Sequence, residues 1–325
     1  MAHSLNFAAD GTARMMFAGE APWHGLGKRL EANCTASEAL AAAQLGYQMG
    51  LSEVFTADMS PVPGFRAVTR LDTREALGVV TDSYTLLQNT DLAGFCEAVV
   101  GAGQAVYHTA GALGKGEDVW FLLELGAVGI GPAQDQVDRY LLATNNHTGK
   151  RAMRALWTPV RVVCQNTLNG ALRGAGKDSG IRIRHVGNVQ GRVQEAQRVL
   201  GLADRAFSGW KERMEVLSLQ TASKDQVRAF VEALFPNPNE TELDKLNDLP
   251  AYITKARDSV VQKFDGAGIG LDVPGVRGTN YALYNAAVEW FDHDRKSETA
   301  ETRMAGLMWG VGPTFKSRAL ELLAK

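Results

Sequence analysis

A chain of 325 residues with 45% hydrophobic and 22% charged residues has an ordinary globular composition, which excludes a disordered or fibrous protein. The length suits two compact domains, or one large domain with a helical extension. The net charge of -2 conceals an asymmetry: between Arg139 and Arg213 there are 14 Lys/Arg against 4 Asp/Glu, so this segment carries +10 and the rest of the chain -12.

Apolar runs such as residues 119–123 are far shorter than the roughly 18 residues a membrane span needs, so no membrane partner is expected. The start MAHSLNFAADG has neither the basic end nor the apolar core of a secretory signal, and a cytoplasmic location is the expectation. Three well-separated cysteines, Cys34, Cys96 and Cys164, lack CxxC spacing, which argues for reduced thiols over disulfides or a zinc knuckle.

The pattern predicts an α+β protein: an N-terminal mixed or antiparallel sheet with a few helices, then a mainly helical C-terminal part. In chain order this divides into an arm over 1–34, an α+β core over 35–175, a basic linker over 176–188 and a helical region over 189–325. In the arm, Pro22, Gly25 and Gly27 surround Trp23 and His24 and forbid a stable helix. That loop either places an indole and an imidazole at a cleft or uses the Trp as a structural anchor.

Thr35 with Glu38 forms a T-x-x-E capping box that opens a short Ala-rich helix, which Gly46 can close. The period then shifts to two at Tyr47, Met49 and Leu51, and Phe65 to Arg70 and Leu77 to Thr81 read as strands. A helix is expected over about Thr90 to Val100. A hairpin of Gln104 to Ala110 and Asp118 to Leu125 follows around GALGKGE, then a strand from Val137 to Thr144. GALGKGED lacks the GxxxxGK[ST] spacing and sits between strands, so it is not a phosphate loop.

The chemically dense stretch is YLLATNNHTGKRAMRALWTPVRVVCQNTL, residues 140–168. It joins an apolar strand, a polar turn (Asn145, Asn146, His147, Thr148, Gly149), the cations Lys150, Arg151, Arg154 and Arg161, and the run Gln165, Asn166, Thr167. Trp157 to Val163 reads as a strand that Pro159 confines to an edge, and Cys164 to Leu172 as a short helix whose start could contact an anion. Cys164 with His147 or His185 could form a nucleophile and base, although nothing in the spacing requires their contact.

From Val189 the apolar residues Val193, Ala196, Leu200, Ala203, Phe207, Trp210, Met214 and Leu217 recur at alternating steps of four and three, a heptad seam. Such a seam packs on another helix of the same chain or of a second copy, leaving a homo-oligomer through 189–217 open. Helices are expected over Ser223 to Leu234, Leu249 to Phe264, Thr279 to Phe291, Ser297 to Trp309 and Pro313 to Ala324. The glycine-rich segment 266–279 is either a lid or a connector. Asn285, Glu289, Asp292 and His293 share a region of one helix, where an internal polar network is the expectation over a metal site. HExxH, DxDxDG, GxSxG and a Rossmann glycine motif are absent, and no cofactor is expected.

The residues WHGLG (23–27), VVTDSYTLLQNTDLAGF (79–95), YLLATNNHTG, VRVVCQNTL (160–168) and NYALYNAAVEWFDH together resemble the phage and plasmid-like family known by the DUF932 label. The resemblance implies an intracellular protein of bacteriophages, plasmids and similar elements. That family was named for unknown function, so no catalytic residue is carried over.

Amides, hydroxyls, Lys and Arg are the donors that hold a sugar-phosphate backbone, and concentrated cations attract polyanions. The expected function is therefore binding of nucleic acid, single-stranded DNA or replication and recombination intermediates. The expected contacts are Asn145, Asn146, His147, Thr148, Lys150, Arg151, Arg154, Arg161, Gln165, Asn166, Arg173, Lys177, Arg182 and Arg184, with Trp23 and His24 as cleft residues. The alternatives are a nucleotide- or nucleic-acid-processing enzyme using His24, His147 or Cys164, and a host-interaction or anti-defence protein.

Overall fold

Two sheets carry the N-terminal half, and their strands pair mainly with neighbours in sequence. The structure, a computed structural model, describes residues 5–19, 26–31, 33–101, 103, 105–161, 166–167, 181–183, 189–239, 249–295 and 311–324. At 159–161, 166–167, 189–190, 192–193, 311 and 313 it describes the backbone alone.

The larger sheet contains β1 (Met15–Ala18), β2 (Lys28–Leu30), β6 (Val106–Leu113), β7 (Asp118–Ile130), β8 (Asp135–Asn146), β9 (Arg154–Arg161), β10 (Asn166–Thr167) and β11 (Ile181–Arg182). Its order is β10-β9-β8-β7-β6-β1-β2, and β11 also pairs with β9. The second sheet is the antiparallel triplet β3 (Met49–Phe55), β4 (Pro61–Arg70) and β5 (Ala76–Thr81). Both sheets match the α+β expectation: the strands lie in the first 182 residues, and later described elements are helices.

Local chemistry explains several boundaries. Helix α1 (Ala36–Ala42) opens with the predicted box, Thr35 N donating to Glu38 Oε2 at 2.8 Å and Glu38 N donating to Thr35 Oγ1 at 3.2 Å. Its end differs from expectation, because Gln44 adopts φ 50° and breaks the helix before Gly46 is reached. Helix α2 (Asn89–Gly101) buries Leu92, Phe95, Cys96 and Val99, the three-and-four spacing of a core-facing stripe. Cys34 and Cys96 are buried free thiols, and burial raises the pKa of both.

The helix expected over Cys164 to Leu172 is corrected at Asn166 and Thr167, which form β10 and pair antiparallel with Arg161 and Val160. A short apolar run is ambiguous between helix and strand, and ladder pairing with β9 decided for strand here. The remainder of that run lies outside the described residues. Pro159 falls between the short partners of β9, since β11 pairs with 154–155 and β10 with 160–161. A residue without a backbone N–H is tolerated where no ladder bond is required.

The chain divides into two units built from discontinuous stretches, where the sequence reading divides it in order. The first comprises 1–126, 140–157 and 180–204, and the second 127–139, 158–179 and 205–325. Helix α3 (Val189–Leu219) is one continuous 31-residue helix, and its seam residues Ala196, Leu200, Ala203, Phe207, Trp210, Met214 and Leu217 are all buried within this chain.

In the second unit, α4 (Lys224–Leu234), α5 (Ala251–Gln262), α6 (Asn280–Glu289) and α7 (Val311–Leu323) form the helical part, and wide π turns extend α5 over Lys263–Ala267 and α6 over Trp290–Asp294. All ten residues of α6 are buried. Phe235, Trp290, Phe291 and Phe315 make an aromatic cluster, with ring centroids of neighbouring pairs 4.8–6.5 Å apart.

The polar network expected around Asn285, Glu289, Asp292 and His293 is present at Glu289 and Asp292, while Asn285 Nδ2 donates to Tyr281 O of its own helix at 2.9 Å. Lys263 Nζ donates to Glu289 Oε1 at 2.7 Å, Ile269 N donates to Glu289 Oε2 at 3.0 Å, and Lys316 Nζ lies 2.8 Å from Asp292 Oδ1. Among the described residues, no helix is long and apolar enough to cross a membrane and no group of His, Cys, Asp and Glu could hold a metal ion. The helix expected over Ser297 to Trp309 lies outside the described residues.

Candidate functional site

The polar turn after β8 is held by its own side chains. Strand alternation sends Asn145 and Asn146 to opposite faces. Asn146 Nδ2 donates to Asp118 Oδ1 at 2.8 Å, and its Oδ1 accepts from Thr148 N at 3.2 Å, which closes an Asx turn. Arg151 Nη2 donates to the same Asp118 oxygen at 2.5 Å, so one carboxylate at the start of β7 anchors both ends of the turn.

His147 is fully buried, 0% exposed, and belongs to this scaffold. Its backbone N donates to Glu117 O at 2.7 Å and its Nε2 lies 2.8 Å from Asn89 Oδ1. Asn89 Nδ2 already donates to Leu45 O at 2.8 Å, so Asn89 Oδ1 is an acceptor and His147 must carry its proton on Nε2. Burial, together with the charge of Arg70, lowers the His147 pKa to about 4. A neutral, buried imidazole tying the turn to α2 has neither the access nor the basicity for general-base work near neutral pH.

Two glycines let the turn lie directly on β5. A side chain at Gly78 would put its Cβ 2.5 Å from Thr148 O, and one at Gly149 would meet Val80 Cγ1 at 2.4 Å. Gly149 also has φ +78°, a conformation that disfavours any other residue.

This packing opens a cleft of about 880 Å³ within the first unit. One wall is the segment after β5, contributing Thr81, Ser83, Tyr84, Thr85 and Leu87. The other is Gly149, Lys150, Arg151, Ala152 and Met153, with Arg182 and Ile183 joined to it by the Ile183 N to Met153 O bond at 3.0 Å. Asn145 also lines the cleft; it is 3% exposed, and its Nδ2 has no hydrogen-bond partner among the described residues.

Among the described residues, the cleft lining contains three cations and no carboxylate. Arg151 is pinned by Asp118, whereas Lys150 and Arg182 are exposed and form no ion pair among the described residues. Three hydroxyl residues on the facing wall, Thr81, Ser83 and Thr85, are also exposed. Such a surface offers charged and neutral donors to an anion that also exposes flat apolar faces, the Tyr84 ring being the aromatic component.

Of the residues expected from sequence, Asn145, Lys150, Arg151 and Arg182 come together here. Asn146, His147 and Thr148 build the turn behind it. Arg154 is half-buried and lies opposite Arg182 in the β9–β11 ladder, but does not line the cleft. Arg161 and Asn166 pair with each other between β9 and β10 in the second unit. Trp23, His24, Cys164, Gln165, Arg173, Lys177, Arg184 and His185 lie outside the described residues.

Sequence reasoning missed Thr81, Ser83, Tyr84 and Thr85 as cleft residues, and Asp118 and Asn89 as the groups that shape the turn. The available signal was the polar run TDSYT directly after a strand, which is where loops positioned by a sheet carry binding groups.

No curated protein sequence and no solved structure matches the chain. Residues 76–309 match the family described as a domain of unknown function, DUF932, and this span includes every residue that lines the cleft. With most of its length matched, the chain belongs to the DUF932 family.

Proposed function

We propose that this protein binds single-stranded nucleic acid, as an intracellular protein of phage or plasmid type, with the cleft around Lys150, Arg151 and Arg182 as its phosphate-binding element. The observation that carries the reading is that, among the described residues, the cleft is lined by three cations and no acid, with a wall of exposed hydroxyls opposite. In this reading the exposed Lys150 and Arg182 neutralise backbone phosphates, while Tyr84 offers a ring to a base.

Cations that replace the counterions of a nucleic acid make binding fall with salt, with a slope of about -0.7 per phosphate contact for a single strand. The test is fluorescence anisotropy of a labelled single-stranded oligonucleotide across a salt series. Binding at low salt that weakens linearly on a log-log plot supports the reading. No salt-sensitive binding at micromolar protein rejects it.

A further inference from the structure

Charged and neutral donors occupy different depths in the cleft. Lys150 and Arg182 are exposed, whereas Asn145, also a lining residue, is 3% exposed and has an uncharged N–H donor with no acceptor among the described residues. A buried donor without a partner carries a desolvation cost that a bound acceptor removes. A phosphate is better served at the rim, where water and full positive charges remain, because burying its charge beside a single neutral amide is unfavourable. A neutral acceptor suits the buried position, and in a nucleic acid that is the carbonyl edge of a base.

Neighbouring groups fit the same ligand. The half-buried Tyr84 ring comes to 4.0 Å from where a Cβ on Gly149 would stand, so it flanks the turn that follows Asn145. The volume, about 880 Å³, lies within the ~300–1,000 Å³ of pockets that enclose small organic ligands. Asn145 itself is held in place as the last residue but one of β8, directly before the turn that Asn146, His147 and Asp118 fix. A rigidly placed amide discriminates, because the wrong base leaves it unpaired.

We propose that Asn145 is a specificity-determining residue that donates its Nδ2 proton to the base oxygen standing where an amino base has its NH2 group (O4 of uracil or thymine, O6 of guanine) in a strand bound in the cleft, and so favours keto over amino bases. This rests on the nucleic-acid reading above. Uracil and cytosine share O2 and differ at position 4, where uracil presents a carbonyl and cytosine an amino group, so the pair tests a contact at that position.

The experiment compares oligo(dU) and oligo(dC) by anisotropy on the full chain, in the wild type and in Asn145→Ala and Asn145→Asp. The wild type binds oligo(dU) about 5- to 150-fold more tightly, the range for one well-placed base contact. Both variants lose that preference while keeping the wild-type salt slope, and the isosteric Asn145→Asp covers the case in which the alanine variant does not fold. Equal binding of the two oligomers by the wild type overturns the proposal but leaves nucleic-acid binding intact, and so does a preference that survives in a folded variant. Failure of the wild type to bind either oligomer in a salt-sensitive way overturns both.

Discussion

The helical network of the second unit and the cleft of the first handle polar groups in opposite ways. In the network, Lys263 meets Glu289 and Asp294, and Lys316 meets Asp292. Burial alone disfavours the Lys263 ammonium, but its bonds and charge pairing with Glu289 and Asp294 outweigh that and raise its pKa. Lys316 is 0% exposed, and there burial prevails over Asp292 and lowers the pKa. Among the described residues, the cleft of the first unit gathers cations without acids and an amide donor without an acceptor. Closed networks of the first kind hold helices together, while open ones of the second kind ask for something from outside the chain.

The comparison breaks most easily at its closed side. Replacing Lys316 by Ala takes the ammonium away from the buried Asp292 carboxylate, so stability should fall by about 3–5 kcal/mol in urea denaturation. A loss below about 1 kcal/mol would mean that the pair is not a structural tie.

Next in size is the pH dependence carried by His147, whose folded pKa of about 4 lies below the ordinary 6.5. Between those values the unfolded chain binds a proton that the folded chain refuses. Its contribution is therefore complete above pH 6.5 and falls away as pH drops toward 4, by about 3 kcal/mol in total. His147→Asn should flatten this part of the stability-against-pH curve; an unchanged slope would show that another group carries it.

Smaller again is Gly149→Ala, which combines a φ of +78° with a Cβ contact of 2.4 Å to Val80. It should destabilise by about 1–3 kcal/mol and disturb the cleft wall. Smallest is the open side: Lys150→Ala with Arg182→Ala removes exposed side chains that have no ion pair among the described residues, and should change stability by no more than about 0.5 kcal/mol.

Much of this architecture was legible where local rules act alone. The Thr35–Glu38 box begins α1 as predicted, and the seam from Ala196 to Leu217 is buried along one continuous helix. Of the Asn285, Glu289, Asp292 and His293 region, Glu289 and Asp292 enter the internal network that was expected there. The sequence also singled out Asn145, Lys150, Arg151 and Arg182, but could not separate contacts from scaffold. Nothing local distinguishes Asn146 and His147, whose partners Asp118 and Asn89 lie 28 and 58 residues away, from Asn145, which has no partner for its donor. Nor could periodicity bring residues 81–87 to face 149–153, because that depends on Gly78 and Gly149 allowing the turn to settle on β5. Asn166 and Thr167 became a strand through pairing with β9, a tertiary choice that overrides local preference.

The central claim, that the cleft is where phosphate binds, is tested most directly by the salt dependence of oligonucleotide binding in the Lys150→Ala, Arg182→Ala protein beside the wild type. Removing two phosphate contacts should make the log-log slope shallower by about 1.4 and weaken low-salt binding, with the thermal transition unchanged. A wild-type slope and affinity in the folded double variant would contradict the account.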